Sequence, residues 1–134
     1  MTEFECVEPD TEVYADYATR FGPYNQQQSG WHVQTYSMVL RADAEIVAAG
    51  RGHVYLGVLE VRSLWVDTER RSNGLGSDLL QAIEREGISR GARKALLYTY
   101  SWQAEGFYKR HGYREFARFG FPDGHFRIDM EKTL

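Results

Sequence analysis

An apolar strand, a basic turn with two glycines and a long amphipathic helix follow one another between residues 60 and 88. Gly74 and Gly76 stand where the helix is expected to begin, and because they lack a Cβ the backbone can turn sharply and let a ligand approach its amides. The first N–H groups of a helix have no partner within it, and the helix dipole adds positive charge beside them. Arg71 adds a formal charge and Ser77 adds a hydroxyl. Together these features predict a phosphate-binding site at the turn.

Neither of the common nucleotide-binding motifs fits this turn. A Walker loop needs Gly-Lys followed by Ser or Thr, but Gly76 is followed by Ser77 and Asp78. A dinucleotide fingerprint needs a small third residue where this chain has Leu79. A tight strand-to-helix turn without any ligand also remains open for this motif taken alone, so a second motif is needed to decide.

The turn and a second segment each match one motif of the same protein family. The first motif reads Arg71-Ser72-Asn73-Gly74-Leu75-Gly76, and the second spans residues 101–113. The first resembles the Arg/Gln-x-x-Gly-x-Gly/Ala signature of the GNAT superfamily of N-acetyltransferases. The second is similar to that family's C-terminal motif, Asn-x-x-Ala-x-x-apolar-Tyr-x-x-x-Gly-(Phe/Tyr). The resemblance extends from about Trp31 to Leu134.

The second motif departs from the family at one position. Ala104, Tyr108 and Gly112 are in register with the motif, but Ser101 stands where many members have asparagine. That asparagine often contacts the pantetheine or phosphate arm of the cofactor. The resemblance therefore implies that the Ser101 hydroxyl makes a weaker or water-mediated contact.

The resemblance implies that acetyl-CoA is the acyl donor, with its pyrophosphate on the turn. Backbone groups of the preceding strand are expected to meet the thioester carbonyl and the pantetheine amides, which requires that strand to splay away from residues 96–100. The implied cofactor-binding residues are Leu64, Trp65, Val66, Arg71, Ser72, Asn73, Gly74, Leu75, Gly76, Ser77, Ser101 and Tyr108.

The family's reaction, an amine attacking a thioester, requires a neutral amine, a polarised carbonyl and a proton for the departing thiolate. Tyr108 matches the tyrosine that supplies this proton in many members, and a phenol with a pKa near 10 stays protonated at neutral pH. The alternative is a tyrosine that only packs beside Phe107. Glu60 matches the carboxylate that acts as the base in some lysine-acetylating members. Such a base needs burial to raise its pKa. The alternative is a carboxylate that faces solvent, which is more common for a charged residue on a strand. Asp67 is a weaker substitute that we assign to the loop.

No metal site is expected, because the four histidines do not show metal-ligand spacing and Cys6 is the only cysteine. His125 can reach the acceptor side of this fold, although a surface turn position is the simpler interpretation. Three aromatic residues are candidates for the acceptor pocket, with core packing as the alternative for each: Tyr24, Trp31 and Trp102.

The composition fits one compact N-acetyltransferase domain over residues 1–134, since 43% of the 134 residues are hydrophobic and 14% are aromatic. The formal net charge of -3 provides no basic field for nucleic acid or an anionic membrane. The N-terminus shows no targeting pattern, and no segment approaches the apolar length of a membrane span. We therefore expect a soluble, cytoplasmic protein with no nucleic-acid or membrane partner.

Periodicity and turn residues predict an α/β fold with hairpins and one central parallel crossover. The resemblance implies the GNAT acyl-CoA N-acyltransferase fold, a mixed, mostly antiparallel sheet with one parallel pair and helices on both faces. The first predicted helix starts at a cap on Asp10 or Thr11 and ends at Gly22-Pro23. The second runs from Leu75 until Gly91 stops it, and the third spans Gln103–His111. The predicted strands are Thr2–Val7, Trp31–Leu40, Ile46–Gly50, Val58–Val66, Lys94–Tyr100, Tyr113–Gly120 and Phe126–Glu131.

The sequence thus predicts transfer of acetyl from acetyl-CoA to a primary amine, carried by a small molecule or a peptide, through direct attack in a ternary complex. A non-catalytic acyl-CoA sensor on the same fold stays open because of Ser101 and the undecided base, although Tyr108 argues against it. A phosphate-binding module without CoA specificity is a weaker alternative. The C-terminal hairpin can also pair two subunits through its phenylalanines, Phe116, Phe119, Phe121 and Phe126.

Overall fold

A computed structural model describes residues 3–8 and 12–134. Its helices are α1, Glu12–Ser29, α2, Leu75–Ser89, and α3, Glu105–Arg110. Its strands are β1, Gln34–Ala42, β2, Glu45–Tyr55, β3, Val58–Val66, β4, Lys94–Tyr100, β5, Arg114–Gly120, and β6, Phe126–Thr133. The six strands form one sheet in the order β1-β2-β3-β4-β6-β5, and only β3 and β4 run parallel. The predicted mixed sheet with one parallel pair is confirmed.

The chain divides into two compact units, residues 1–32 and residues 33–134. In the first unit, residues 3–8 have no regular secondary structure and exposed side chains, so the strand predicted over Thr2–Val7 is wrong in its described part. A single segment forms a strand only when another strand pairs with it, and none of the described strands does so here. The predicted cap residues Asp10 and Thr11 lie outside the described residues.

Helix α1 continues through Gly22 and Pro23 to Ser29, so the predicted helix end is wrong. Proline removes one backbone donor, which weakens a helix, but the following turn still forms and the polar run from Asn25 is helical. Ser29 closes this last turn, because its hydroxyl donates to the Asn25 carbonyl over 2.6 Å.

The second unit has its core between one face of the sheet and α2, whose buried apolar residues include Leu80 and Ile83. Glycines let the helix lie close to the sheet. A Cβ at Gly50 would lie 2.4 Å from Ile83 Cδ1, and one at Gly87 would lie 2.9 Å from Leu59 Cδ2. The core residues with almost no exposure on the sheet are Leu59, Leu97, Ile128 and Met130.

The strands β3 and β4 separate halfway along their length, which opens the sheet. The paired residues are Val58 with Lys94, Leu59 with Ala95 and Glu60 with Leu96. Beyond Glu60 the register of β3 against β2 shifts, because Val61 faces Gly52 whereas Ser63 faces Arg51, so Arg62 is an extra residue. A bulge of this kind bends a strand and strengthens its twist, and it lies where pairing with β4 stops. The separation of β3 from β4 that the resemblance requires is therefore present.

No helix in the described ranges is long and apolar enough to cross a membrane.

Candidate active site

The turn before α2 presents a run of open backbone amides. None of the N–H groups of residues 72–77 donates to a backbone carbonyl in the described part of the chain, and the first to do so is that of Asp78, 3.1 Å from the Gly74 oxygen. Gly74 has φ +77°, a left-handed conformation that glycine adopts without steric cost. Ser72 also has positive φ, which is uncommon for a residue with a Cβ. The turn is therefore shaped to aim its amides outward.

A cavity of about 520 Å³, here called the turn cavity, lies against these amides. Eight predicted cofactor-binding residues line it, namely Leu64, Trp65, Val66, Arg71, Ser72, Gly74, Gly76 and Ser77. Asn73, Leu75, Ser101 and Tyr108 are not among its lining residues. Sequence reasoning missed Arg110, at the end of α3, which gives the turn cavity a second guanidinium. Its walls therefore suit a polyanion.

The opening between β3 and β4 forms a second cavity of about 550 Å³, here called the splay cleft. Tyr98, Tyr100 and Tyr108 lie on its walls. The residues shared with the turn cavity are Leu64, Arg71 and Ala104. Arg71 lies at this junction, where its Nε donates to the Val66 carbonyl over 3.0 Å. A long ligand can thus extend from the turn into the sheet.

Tyr108 is half-buried and reaches the splay cleft from α3. Burial raises the pKa of its phenol above the usual value of 10.0. Within the described residues its hydroxyl has no hydrogen-bond partner, whereas its ring packs edge-on against Phe107, with the ring centroids 5.2 Å apart. This geometry is compatible with both interpretations of Tyr108, because the ring packs against a neighbour and the hydroxyl has no partner within the described residues.

Glu60 does not line the splay cleft, although its neighbours Val61 and Arg62 do. Its carboxylate accepts hydrogen bonds from the Tyr55 hydroxyl over 2.7 Å and from Arg62 Nη1 over 2.6 Å. Burial pushes the pKa of Glu60 upward, but these two hydrogen bonds and the charge of Arg62 outweigh it, and the net pKa is lowered. The raised pKa that a base at this position would need is therefore not present. Asp67 precedes a short 3₁₀ turn and belongs to the loop, as expected.

Ser101 lines neither the turn cavity nor the splay cleft. Its Oγ is 3.1 Å from His125 Nδ1 and accepts the Phe126 N–H over 3.2 Å, so it ties the end of β4 to the hairpin between β5 and β6. Gln103 lines the splay cleft instead, where its side-chain oxygen accepts a hydrogen bond from the Tyr100 amide. The sequence gives a weak indication that Gln103 belongs to the site, since it lies two residues after Ser101 in the same motif.

The remaining candidates fall in different places. Tyr24 and Trp31 belong to the first unit, whereas Trp102 is exposed beside His125, with the two ring centroids 5.0 Å apart. No group of three His, Cys, Asp or Glu residues that can hold a metal ion occurs within residues 3–8 and 12–134.

The family model described as "Acetyltransferase (GNAT) family" matches residues 3–113. The chain belongs to this family. The solved structure of an acetyltransferase from Bacillus cereus is 32% identical in sequence, and the match covers 97% of this chain and 98% of that one, with a TM-score of 0.81. A protein of Agrobacterium tumefaciens, 24% identical over the full length of both chains, has a TM-score of 0.90 and shows the fold alone.

One curated relative carries a substrate in its name. It is the blasticidin-S acetyltransferase of Streptomyces morookaense, 42% identical over 64 residues, which cover 47% of this GNAT chain and 47% of that relative. The chain spans about half the length of the curated relatives it matches.

Proposed function

We propose that this GNAT chain transfers the acetyl group of acetyl-CoA to a primary amine by direct attack in a ternary complex, and that residues 1–134 form one N-acetyltransferase domain. The observation that carries the proposal is the continuity of the site. Open amides at the start of α2 border the turn cavity, and this cavity shares lining residues with the splay cleft. Tyr108 lies on the wall of the splay cleft. A module that binds only phosphate has no use for the second cavity.

The turn and the splayed strand would hold the donor substrate. The amides of residues 72–77, with Arg71 and Arg110, would bind the pyrophosphate, because free helix N–H groups and guanidinium groups both favour phosphate oxygens. Residues 64–66 of β3 pair with β2 but have no partner in β4, so their backbone groups on the β4 side remain available for the pantetheine amides. Bound acetyl-CoA supplies the activated acyl group.

The chemistry then needs two proton transfers. A C–N bond forms between the amine and the thioester carbonyl, and the C–S bond breaks. Tyr108 donates its phenolic proton to the departing thiolate, and the amine loses its proton through water to Glu60. A lowered pKa keeps Glu60 ionised at neutral pH, which is the form of a base, but it weakens the driving force for accepting a proton. Direct attack suits this site, since no cysteine among the described residues lines the turn cavity or the splay cleft.

The acceptor is a primary amine of a small molecule or a peptide. Resemblance to an enzyme named for blasticidin-S favours a small molecule. The alternative function, a non-catalytic acyl-CoA sensor, predicts binding of acetyl-CoA without release of free thiol.

Two measurements test the proposal. Saturating acetyl-CoA should raise the melting temperature, since a ligand at 100 times its Kd stabilises the folded state by about 2.7 kcal/mol. Thiol release with a panel of primary amines then separates an enzyme from a sensor. An unchanged melting temperature of well-folded protein would contradict the proposed site, and binding without turnover would favour the sensor.

A pair of glycine variants checks that the turn is the binding site. A Cβ at Gly76 would lie 3.6 Å from the Phe107 ring, an ordinary contact, so Gly76→Val should fold but block approach to the amides. Gly120→Val is the matched control, because a Cβ there meets no atom within 4 Å and Gly120 lies at the end of β5. Only Gly76→Val should abolish the thermal shift with acetyl-CoA.

A further inference from the structure

Aromatic side chains cluster where the end of β4 meets the hairpin between β5 and β6. The Tyr100 and Trp102 rings stack in parallel, with centroids 4.7 Å apart and planes 4° apart. Phe121 lies 6.2 Å from Tyr100 and 5.3 Å from Phe119, measured between ring centroids. We call these four residues, Tyr100, Trp102, Phe119 and Phe121, the aromatic shelf.

Two side chains of the aromatic shelf remain largely exposed to solvent. Trp102 is 59% exposed and Phe119 is 60% exposed. Aromatic rings contribute most when they are buried, and contiguous apolar patches on a surface mark sites of interaction. These rings therefore hold one another in place through their contacts, and their exposed surfaces can still contact a ligand.

A cavity of about 470 Å³ lies between three residues of the shelf, Tyr100, Phe119 and Phe121, and a polar pair on β6, Arg127 and Asp129. This volume is within the range of small-molecule sites, about 300–1,000 Å³. The Arg127 guanidinium is fixed, because it lies 3.9 Å above the Tyr98 ring centroid and its Nη2 donates to Asp129 Oδ1 over 2.8 Å. The cavity thus combines an apolar wall with an oriented polar rim.

Tyr100 connects this cavity with the reaction site. It lines the splay cleft together with Tyr108, and it also lines the cavity beside the shelf. A ligand whose ring rests on the shelf can therefore direct a short substituent past Tyr100 into the cleft where transfer would occur.

We propose that the aromatic shelf binds a planar ring of the acceptor, and that the acceptor is a primary amine joined by a short linker to an aromatic or heteroaromatic ring. This inference rests on the proposed function. A planar ring is favoured over a saturated one because only a flat π-face can stack over its whole area on an aromatic wall such as Phe119.

Two amines of equal size test the inference. 2-Phenylethylamine and 2-cyclohexylethylamine share the same carbon skeleton and differ in the planarity of the ring. The shelf predicts that kcat/KM is about tenfold higher for 2-phenylethylamine. Equal values for the two amines would overturn the inference.

Variants of the shelf locate the effect. Phe119→Leu and Phe121→Leu should each lower kcat/KM for 2-phenylethylamine about fivefold or more, with the KM for acetyl-CoA unchanged, because both side chains line the cavity. Phe116→Leu is the matched control, since Phe116 is 46% exposed on the same strand but lines neither the splay cleft nor the cavity beside the shelf. An equal loss in Phe116→Leu, or an equal loss for both amines, would refute a stacking role.

Two further measurements separate the failure of this inference from failure of the proposed function. If acetyl-CoA binds but no amine is acetylated, calorimetry with 2-phenylethylamine and CoA still tests the shelf, and binding that is lost in Phe119→Leu would support it. Absence of binding to wild type would overturn it. Sedimentation of the wild type as a dimer that dissociates in Trp102→Leu and Phe119→Leu would instead assign the shelf to a subunit interface and overturn the inference.

Discussion

His111 Nε2 lies 2.8 Å from Ser77 Oγ and joins the end of α3 to the first turn of α2. The imidazole ring also packs on Phe107, with centroids 4.6 Å apart. Ser77 lines the turn cavity, so this contact connects the second sequence motif with the wall of the predicted phosphate site. The two motifs are 34 positions apart at these residues but form one structural unit.

We expect His111→Ala to raise the KM for acetyl-CoA about three- to tenfold while kcat stays near the wild-type value. A typical hydrogen bond contributes about 0.5–1.5 kcal/mol, and its loss here would release the Ser77 hydroxyl from its fixed position. Ser77→Ala is the companion variant, and a double-mutant cycle measures their coupling. Independent, additive effects of the two substitutions would contradict a positioning role.

The absence of a side chain at Gly50 lets α2 lie close to the sheet. A Cβ there would lie 2.4 Å from Ile83 Cδ1 and 2.9 Å from the Ser63 carbonyl oxygen, and the second of these is backbone. Gly50→Ala should therefore lower the free energy of unfolding by about 1–3 kcal/mol, measured in urea. Gly120→Ala, where a Cβ meets no atom within 4 Å, should stay within about 0.5 kcal/mol of wild type. Equal stability of Gly50→Ala and wild type would show that the helix shifts freely.

The central part of the fold could be predicted because local signals agree there. The strands Val58–Val66 and Lys94–Tyr100 have the predicted bounds, since each is an apolar run between clear turn signals. Other boundaries moved by a few residues: β1 starts at Gln34 and not Trp31, and β2 extends to Tyr55 and not Gly50. Alternation fades at strand ends, where pairing with a neighbour decides the length.

Features that depend on tertiary contacts could not be predicted. The pKa of Glu60 is set by Tyr55 and Arg62, which are adjacent only because of the hairpin and the strand bulge. Ser101 is occupied by His125, 24 positions away, and no motif carries that information. Helix α1 passes Pro23 because the turns on both sides of it form, a cooperative effect that single-residue rules omit.

Glu60→Gln should reveal both a catalytic and a stability effect. As the proposed base, Glu60 has a lowered pKa, so we expect its loss to reduce kcat by no more than about 10²-fold, the low end for general acid–base catalysis. A lowered folded-state pKa contributes stability above the unfolded value of 4.5, and this contribution is lost as the pH falls through the folded pKa. Wild type should therefore lose more stability than Glu60→Gln below about pH 4.5.

Glu115→Gln is the control, because Glu115 is an exposed residue of β5 that lines neither the splay cleft nor the turn cavity. Thermal melts between pH 3 and pH 7 and single-turnover rates at pH 7 give the two readouts. If kcat of Glu60→Gln equals that of wild type, the amine passes its proton directly to solvent and Glu60 has no part in the reaction.

The last prediction concerns two tyrosines whose rings touch, Tyr108 and Tyr113, with centroids 5.9 Å apart. Tyr113 is buried and its hydroxyl donates to Glu84 over 2.8 Å, whereas the Tyr108 hydroxyl faces the splay cleft. Tyr113→Phe should therefore cost about 1–3 kcal/mol of stability, because it leaves the Glu84 carboxylate short of a donor, and should keep the rate of acetyl transfer. Tyr108→Phe should keep the stability of the fold and lower the rate of acetyl transfer.

Removal of the Tyr108 hydroxyl should reduce the single-turnover rate about 10²- to 10⁴-fold, with acetyl-CoA affinity and melting temperature nearly unchanged. Single-turnover rates are needed because slow product release can hide a change in the chemical step. Since burial raises the pKa of Tyr108 above 10.0, the phenol stays protonated through pH 9, and wild type should show no loss of rate from this group between pH 7 and pH 9. An acetyl-CoA KM that rises with kcat preserved would make Tyr108 an anchor for the cofactor, and an unchanged single-turnover rate would remove it from the mechanism.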